Sequence, residues 1–136
     1  MSKIVLSVSD RWVPDGRVEA IADFAKRMQS SLLVVHVAYG TEGPAPDKSA
    51  GERVLEQVAQ LLKARQLAVE TLLLFSDSIP AAVVKTASEH GGSMILMGLS
   101  SKGMLARLIE GNVAQEIIKT TRVPVLLLPP DWKGEI

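Results

Sequence analysis

Residues 94–114 read Met94-Ile95-Leu96-Met97-Gly98-Leu99-Ser100-Ser101-Lys102-Gly103-Met104-Leu105-Ala106-Arg107-Leu108-Ile109-Glu110-Gly111-Asn112-Val113-Ala114. The unbroken apolar run from Met94 to Met97 is the pattern of a strand covered on both faces, as a central parallel strand is. A long glycine-punctuated loop follows, and Gly111-Asn112 stands where the next helix is predicted to begin, with Val113, Ile117 and Ile118 marking that helix. Strand, loop and helix in this order are the repeating step of a parallel α/β sheet.

The same step recurs in both directions. Towards the C-terminus, Val123 to Leu128 is a further apolar strand, stopped by Pro129-Pro130. Towards the N-terminus, Ser76, Asp77 and Ser78 offer caps for a helix with Pro80 in its first turn and Ala81, Val83, Val84 and Ala87 inside, ended by Gly91-Gly92. Val69 to Phe75 is the strand before it. Earlier still, Ser49 and Glu52 form a capping-box pattern for a helix whose buried face is Val54, Leu55, Val58, Leu61 and Leu62. The stretch from Ala38 to Lys48, rich in glycine and proline, is predicted to be a surface loop. Leu32 to Val37 is a second strand. Val18, Ile21, Ala22, Ala25 and Met28 give the first helix its apolar face, with Asp15 as its cap and Lys26 and Arg27 near its end. Ile4, Val5, Leu6 and Val8 supply the first strand. The alternation predicts an α/β fold, a doubly wound, five-stranded parallel sheet with four helices, in one domain over residues 1–136.

Composition supports one core: 136 residues at 47% hydrophobic are enough for a single domain and too few for two of ordinary size. Lys plus Arg and Asp plus Glu both number 15, so bulk charge points to neither nucleic acid nor an anionic membrane. The chain has no cysteine, which removes disulfides, thiolate nucleophiles and Cys-ligated zinc. The N-terminal apolar run is shorter than a secretory or membrane-spanning segment, so a cytoplasmic protein is expected.

In an open parallel sheet, ligands bind beyond the carboxyl ends of the strands where strand order reverses. That directs attention to Ser9 to Asp15, to Ala38 and Tyr39, and to Gly98 to Asn112. Glycines in the last segment let main-chain N–H groups approach an anion, and a helix start at Gly111-Asn112 adds unpaired donors and the positive end of a dipole. Glycines are equally at home in the tight turns of any parallel sheet, so spacing alone leaves a phosphate cradle and a plain turn both open. Lys102 and Arg107 suit either phosphate or solvent. His36 lies within an apolar strand, where a satisfied buried ring is the expected role, and His90 falls at a helix end where positive charge is favourable. Trp12, after the first strand, is read as packing cover before it is read as a platform for a base. Two histidines so far apart make no metal cluster.

Taken together, Lys3-Ile4-Val5-Leu6, His36-Val37, Met97-Gly98, Gly111-Asn112-Val113-Ala114 and Val123-Pro124-Val125-Leu126-Leu127-Leu128 resemble the universal stress protein family over essentially the whole chain. The resemblance implies a Rossmann-like sheet of the adenine nucleotide alpha hydrolase type and a cytoplasmic homodimer paired through the Val123 to Leu128 strand. ATP-binding members of that family carry Gly, two residues, Gly, nine residues, then Gly followed by Ser or Thr. Gly98 and Gly111 match the first and third glycines, Ser101 stands at the second, and Asn112 at the hydroxyl position. The aspartate that the family places at the end of the first strand falls on Ser9, with Asp10 one place later. The resemblance therefore implies an ATP site, with or without Mg2+, built from Ser9, Asp10, Val37, Gly98, Ser100, Ser101, Gly103, Gly111, Asn112 and Val113.

Three readings follow. A stress-response or signalling module would hold ATP or a related adenine nucleotide and order the 39–48 loop around it. A nucleotide-independent interaction protein of the same fold is favoured by the departures at Ser9, Ser101 and Asn112. A slow ATPase would need a base, for which Asp10 is the acidic candidate. An ATP pyrophosphatase is disfavoured by Ser7-Val8-Ser9-Asp10 in place of a Ser-Gly-Gly loop. A phosphoryl receiver is disfavoured by Pro129-Pro130 in place of a lysine.

Overall fold

Strands that are apolar at every position need cover on both faces, and the chain supplies it from four helices. A computed structural model describes residues 2–9, 17–39, 46–99, 104–129, 132 and 134–136. Along these residues the order is β1 (Ser2–Ser7), α1 (Val18–Arg27), β2 (Ser30–Tyr39), α2 (Pro46–Lys63), β3 (Val69–Ser76), α3 (Ile79–Glu89), β4 (Met94–Gly98), α4 (Met104–Thr120) and β5 (Val125–Leu128). All neighbouring strands are parallel, in the order β3-β2-β1-β4-β5.

The period of two along each strand sorts the core into two layers. Ile4, Leu6, Leu32, Val34 and Leu96 meet Val18, Ile21, Ala22 and Ala25 of α1 and Leu55, Val58 and Leu62 of α2. Val5, Leu33, Val35, Val37, Ile95 and Met97 face the other way, onto Val83 and Ala87 of α3 and Ala114 and Ile117 of α4. Each such aliphatic side chain contributes about 1.5–3 kcal/mol by leaving water, which is what holds the helices to the sheet.

Several boundaries follow the sequence closely. Ser78 is the N-cap of α3, its Oγ accepting from the Ala81 N–H at 3.4 Å, with Pro80 in the first turn. The helix ends through Gly91, whose φ of +67° suits glycine, and the Gly92 N–H closes back on the Ala87 carbonyl at 2.8 Å.

Other expectations are corrected. The fourth helix begins at Met104, not at Gly111, because Met104, Leu105, Ala106, Arg107 and Leu108 are all good helix formers and one interior glycine costs only about 1 kcal/mol. The predicted loop from Ala38 to Lys48 is shortened at both ends: β2 runs to Tyr39 and α2 opens at Pro46. Proline is suited to a first helical turn, so Ser49 lies inside α2 and its capping-box role is lost. Asp15 lies outside the described residues, and α1 follows Arg17 without a side-chain cap. Met28 ends α1 and is 49% exposed, while Ile118, about 100° round the helix from buried Ile117, is 55% exposed. Ala81 is exposed as well. Val123 does not join β5, because its N–H and C=O are both taken by the Thr121 hydroxyl, at 3.1 and 2.9 Å.

Past β5 the chain turns back across the α1 side. Trp132 and Ile136 pack against the first core layer. The Arg17 Nε donates to the Trp132 carbonyl, and the Arg27 Nη2 to the Ile136 carbonyl at 2.7 Å. These two bonds tie Trp132 and Ile136 to opposite ends of α1, so that the C-terminal residues act as a strap on that helix.

Candidate functional site

The order β3-β2-β1-β4-β5 reverses direction between β1 and β4: the chain leaves β1 for β2 on one side and later crosses to β4 on the other. Helices that diverge from such a point leave a crevice at the carboxyl ends of the strands. Register places Leu6 beside Leu96, so the crevice floor is the main chain of Val8 and Ser9 on one strand and of Gly98 and Leu99 on the next.

This floor is held rigidly. The Val8 N–H donates to the Val35 carbonyl at 2.9 Å, and the His36 Nδ1 donates to the Val8 carbonyl at 3.1 Å. On the far side, the Leu99 N–H donates to the Leu128 carbonyl at 3.0 Å. Gly98 is buried as the last residue of β4, and Ser9 is half-buried.

The residues singled out in the sequence fall into three groups. Ser9, Gly98 and the main chain at Val37 lie at the carboxyl end of the sheet, with β1 between the other two strands and about 10 Å across all three. The Val37 side chain belongs to the second core layer, which leaves only its main chain for a ligand. Gly111, Asn112 and Val113 lie inside α4, with Gly111 about 10 Å along the axis from the start at Met104. Their N–H groups are therefore part of the helix, and the unpaired donors belong to the first turn from Met104 instead. Asp10, Ser100, Ser101 and Gly103, with Trp12 and Lys102, lie outside the described residues.

Gly111 has no packing reason to be glycine. A methyl group built there meets nothing within 4 Å, Asn112 beside it is exposed, and Val113 is half-buried against the second layer. Asn112 followed by Gln115 three residues later is also the composition of a helix start, written inside a continuous helix. The sequence reading missed that second signal and also missed His36 as a clamp on Val8; the histidine in an apolar strand was the sign available for the latter.

An adenine nucleotide fits this end of the sheet in one respect and not in another. Gly98 gives close access to the crevice floor, whereas the third glycine of the motif is carried away down α4. Among the described residues, no group of three or more His, Cys, Asp or Glu is placed to hold a metal ion. No helix formed by them is long and apolar enough to cross a membrane.

Comparison with known proteins agrees with this architecture. A family model described as the universal stress protein family matches residues 3–129. A putative universal stress protein of Staphylococcus haemolyticus is 25% identical over 98% of this chain and 90% of its own length. One from Methanocaldococcus jannaschii is 29% identical over 60% of this chain, which covers 47% of that relative. Among solved structures, the universal stress protein of Archaeoglobus fulgidus in complex with dAMP has a TM-score of 0.73 at 21% identity, covering 93% of this chain and 97% of that one. A universal stress protein family protein from Arabidopsis thaliana with AMP bound has a TM-score of 0.64 at 14% identity, covering 96% and 93%. One in complex with cAMP has a TM-score of 0.69 at 17% identity, covering 93% and 96%. At these identities the structural likeness establishes the fold.

Proposed function

This chain belongs to the universal stress protein family, and from that membership we propose that it is a dimeric stress-response module that holds ATP or a related adenine nucleotide in the crevice between β1 and β4. The observation that carries the reading is buried Gly98 at the switch point, beside the clamped main chain of Val8 and Ser9. Structural neighbours carrying dAMP, AMP and cAMP support adenine as the recognised moiety.

In this reading the main chain of β2 near Val37 and Ala38 faces the base, Ser9 and Asp10 face the sugar side, and Gly98, Ser100, Ser101 and Gly103 lead the phosphates towards α4. Gly111, Asn112 and Val113 join them once the turns before Asn112 leave the helix, which the latent start at Asn112 makes inexpensive. ATP would supply the charge that orders these segments, with Mg2+ shielding its phosphates. The module acts in the cytoplasm by presenting a different surface when loaded.

A second reading is favoured by one observation: as folded here, Gly111 and Asn112 offer no free N–H to a phosphate. The chain would then be a nucleotide-independent interaction protein of the same fold. Slow hydrolysis of ATP, with Asp10 as base, belongs to the first reading only.

Calorimetric titration with ATP, AMP and cAMP, with and without magnesium, tests this on protein first shown free of co-purified nucleotide. Micromolar binding of an adenine nucleotide, absent for a guanine one, supports the first reading. Absence of heat and of thermal stabilisation with every nucleotide overturns it in favour of the second.

A further inference from the structure

His36 is buried in β2 at 9% exposure, yet one of its ring nitrogens has a defined polar partner. Its Nδ1 lies 3.1 Å from the Val8 carbonyl. A carbonyl only accepts, so Nδ1 carries the proton and the ring is held in that tautomer when neutral. The other edge of the ring faces α2. A methyl group at Gly51 would stand 2.7 Å from Cδ2 and 3.3 Å from Nε2 of His36, and 2.9 Å from Leu73 Cδ1. The imidazole thus occupies a slot that exists because residue 51 has no side chain.

The slot has a consequence for Val8. This residue lies just past the end of β1, where the ladder stops. Its N–H is held by the β2 main chain at Val35, and its C=O by a β2 side chain. Both main-chain polar groups of Val8 are fixed from the same strand, immediately before Ser9 at the carboxyl end of the sheet. A serine or aliphatic residue at position 36 would leave that carbonyl free to rotate.

We propose that His36 is a positioning residue for the crevice: it fixes the orientation of the Val8–Ser9 peptide, and Gly51 is its necessary counterpart on α2. The inference rests on the nucleotide reading for its functional consequence and on the geometry alone for the clamp. In consequence, ligand affinity depends on a ring that itself stays in the core.

The test compares His36→Leu, His36→Asn and Gly51→Ala. Asparagine places an amide N–H near the position of Nδ1; leucine fills space without a donor. Binding of ATP is measured by calorimetry, and the Val8 carbonyl resonance and Ser9 amide exchange by NMR, in protein without ligand. For His36→Leu the expected results are a shifted Val8 resonance, faster Ser9 exchange and an affinity about tenfold lower. His36→Asn restores all three, and Gly51→Ala, which displaces the ring while keeping it, falls between. Wild-type resonance and exchange in His36→Leu would overturn the clamp. A shifted resonance with unchanged ATP affinity would overturn the positioning role. If wild-type protein binds no nucleotide at all, the nucleotide reading fails separately, and with it the functional half of the proposal, while the Val8 resonance still decides the clamp. Should His36→Leu fail to fold, Gly51→Ala carries the same measurements.

Discussion

A methyl group on Gly92 would stand 2.9 Å from Cγ2 of Val5, and 3.2 Å from the Ala87 carbonyl. The end of α3 is thus seated directly on β1, and neither neighbour is the loose end of a long side chain. Gly92→Ala is expected to destabilise the protein by about 1–3 kcal/mol through overpacking. Chemical denaturation should show a lower midpoint with an unchanged slope; a midpoint equal to wild type would mean that the contact relaxes freely.

Gln29 and Gln66 follow α1 and α2 with φ of +51° and +64°. Their N–H groups close on the Lys26 and Lys63 carbonyls at 3.0 and 2.9 Å, so the left-handed turn is in use at both places. Glycine enters that region without the steric cost of a Cβ. Gln29→Gly and Gln66→Gly should each stabilise by about 0.5–1 kcal/mol, after allowing for the greater freedom of glycine in the unfolded chain. Thermal melts of the single and double variants check this, with near-additive shifts expected.

At Gly111 the folded chain and the proposed ligand make opposite demands. Open space above it lets alanine fit, and alanine is the better helix former by about 1 kcal/mol. Gly111→Ala is therefore expected to raise the melting temperature by a few degrees while lowering ATP affinity about tenfold, equivalent to about 1.4 kcal/mol. A stabilised variant that binds as wild type would place the phosphates at the first turn of α4 instead.

Among the described residues β5 pairs with β4 alone and forms one edge of the sheet, and Val125, Leu126 and Leu127 are half-buried. An apolar edge of this kind is covered by a second copy when two such strands meet across a two-fold axis. Light scattering should give a dimer for the wild type and a monomer for Val125→Asp or Leu127→Asp. A folded, dimeric Leu127→Asp protein would move the interface elsewhere.

Much of the fold was legible because its physics is local. Runs such as Ile4 to Leu6 and Leu32 to Val37 state strands buried on two faces, and Ser78 with Pro80 states a helix start. Where α4 begins was not legible, since Gly111-Asn112 and the run from Met104 to Leu108 are both acceptable starts and only the whole molecule chooses. Of the site, Gly98 could be placed from spacing, because the end of a central strand is fixed by its neighbours. The clamp on Val8 required knowing that residues 8, 36 and 51 meet, and no periodicity carries that information. The strap from Trp132 to Ile136 depended likewise on arginines more than 100 residues earlier.

Weakening the strap should be visible by fluorescence. In a Trp12→Phe background, Trp132 is the remaining tryptophan, half-buried against the first core layer. Arg17→Ala and Arg27→Ala each remove a guanidinium donor to a main-chain carbonyl, at a cost of about 1 kcal/mol for part-buried Arg17 and less for exposed Arg27, where solvent screens the bond. A red-shifted Trp132 emission is expected in both, larger for Arg17→Ala. Unchanged emission in the double variant would show that apolar packing alone seats the segment.

The strap also sets an order of events during synthesis. Arg17 and Arg27 receive their acceptors 115 and 109 residues later in the chain. The carbonyls that hold the two arginines of α1, and the Trp132 and Ile136 side chains that complete the first core layer, are therefore missing while almost all of this chain is translated. Contacts that close such long loops form late, and apolar surface exposed in the meantime is what chaperones recognise. Of the helices on this sheet, the earliest in the chain is thus the last to be finished.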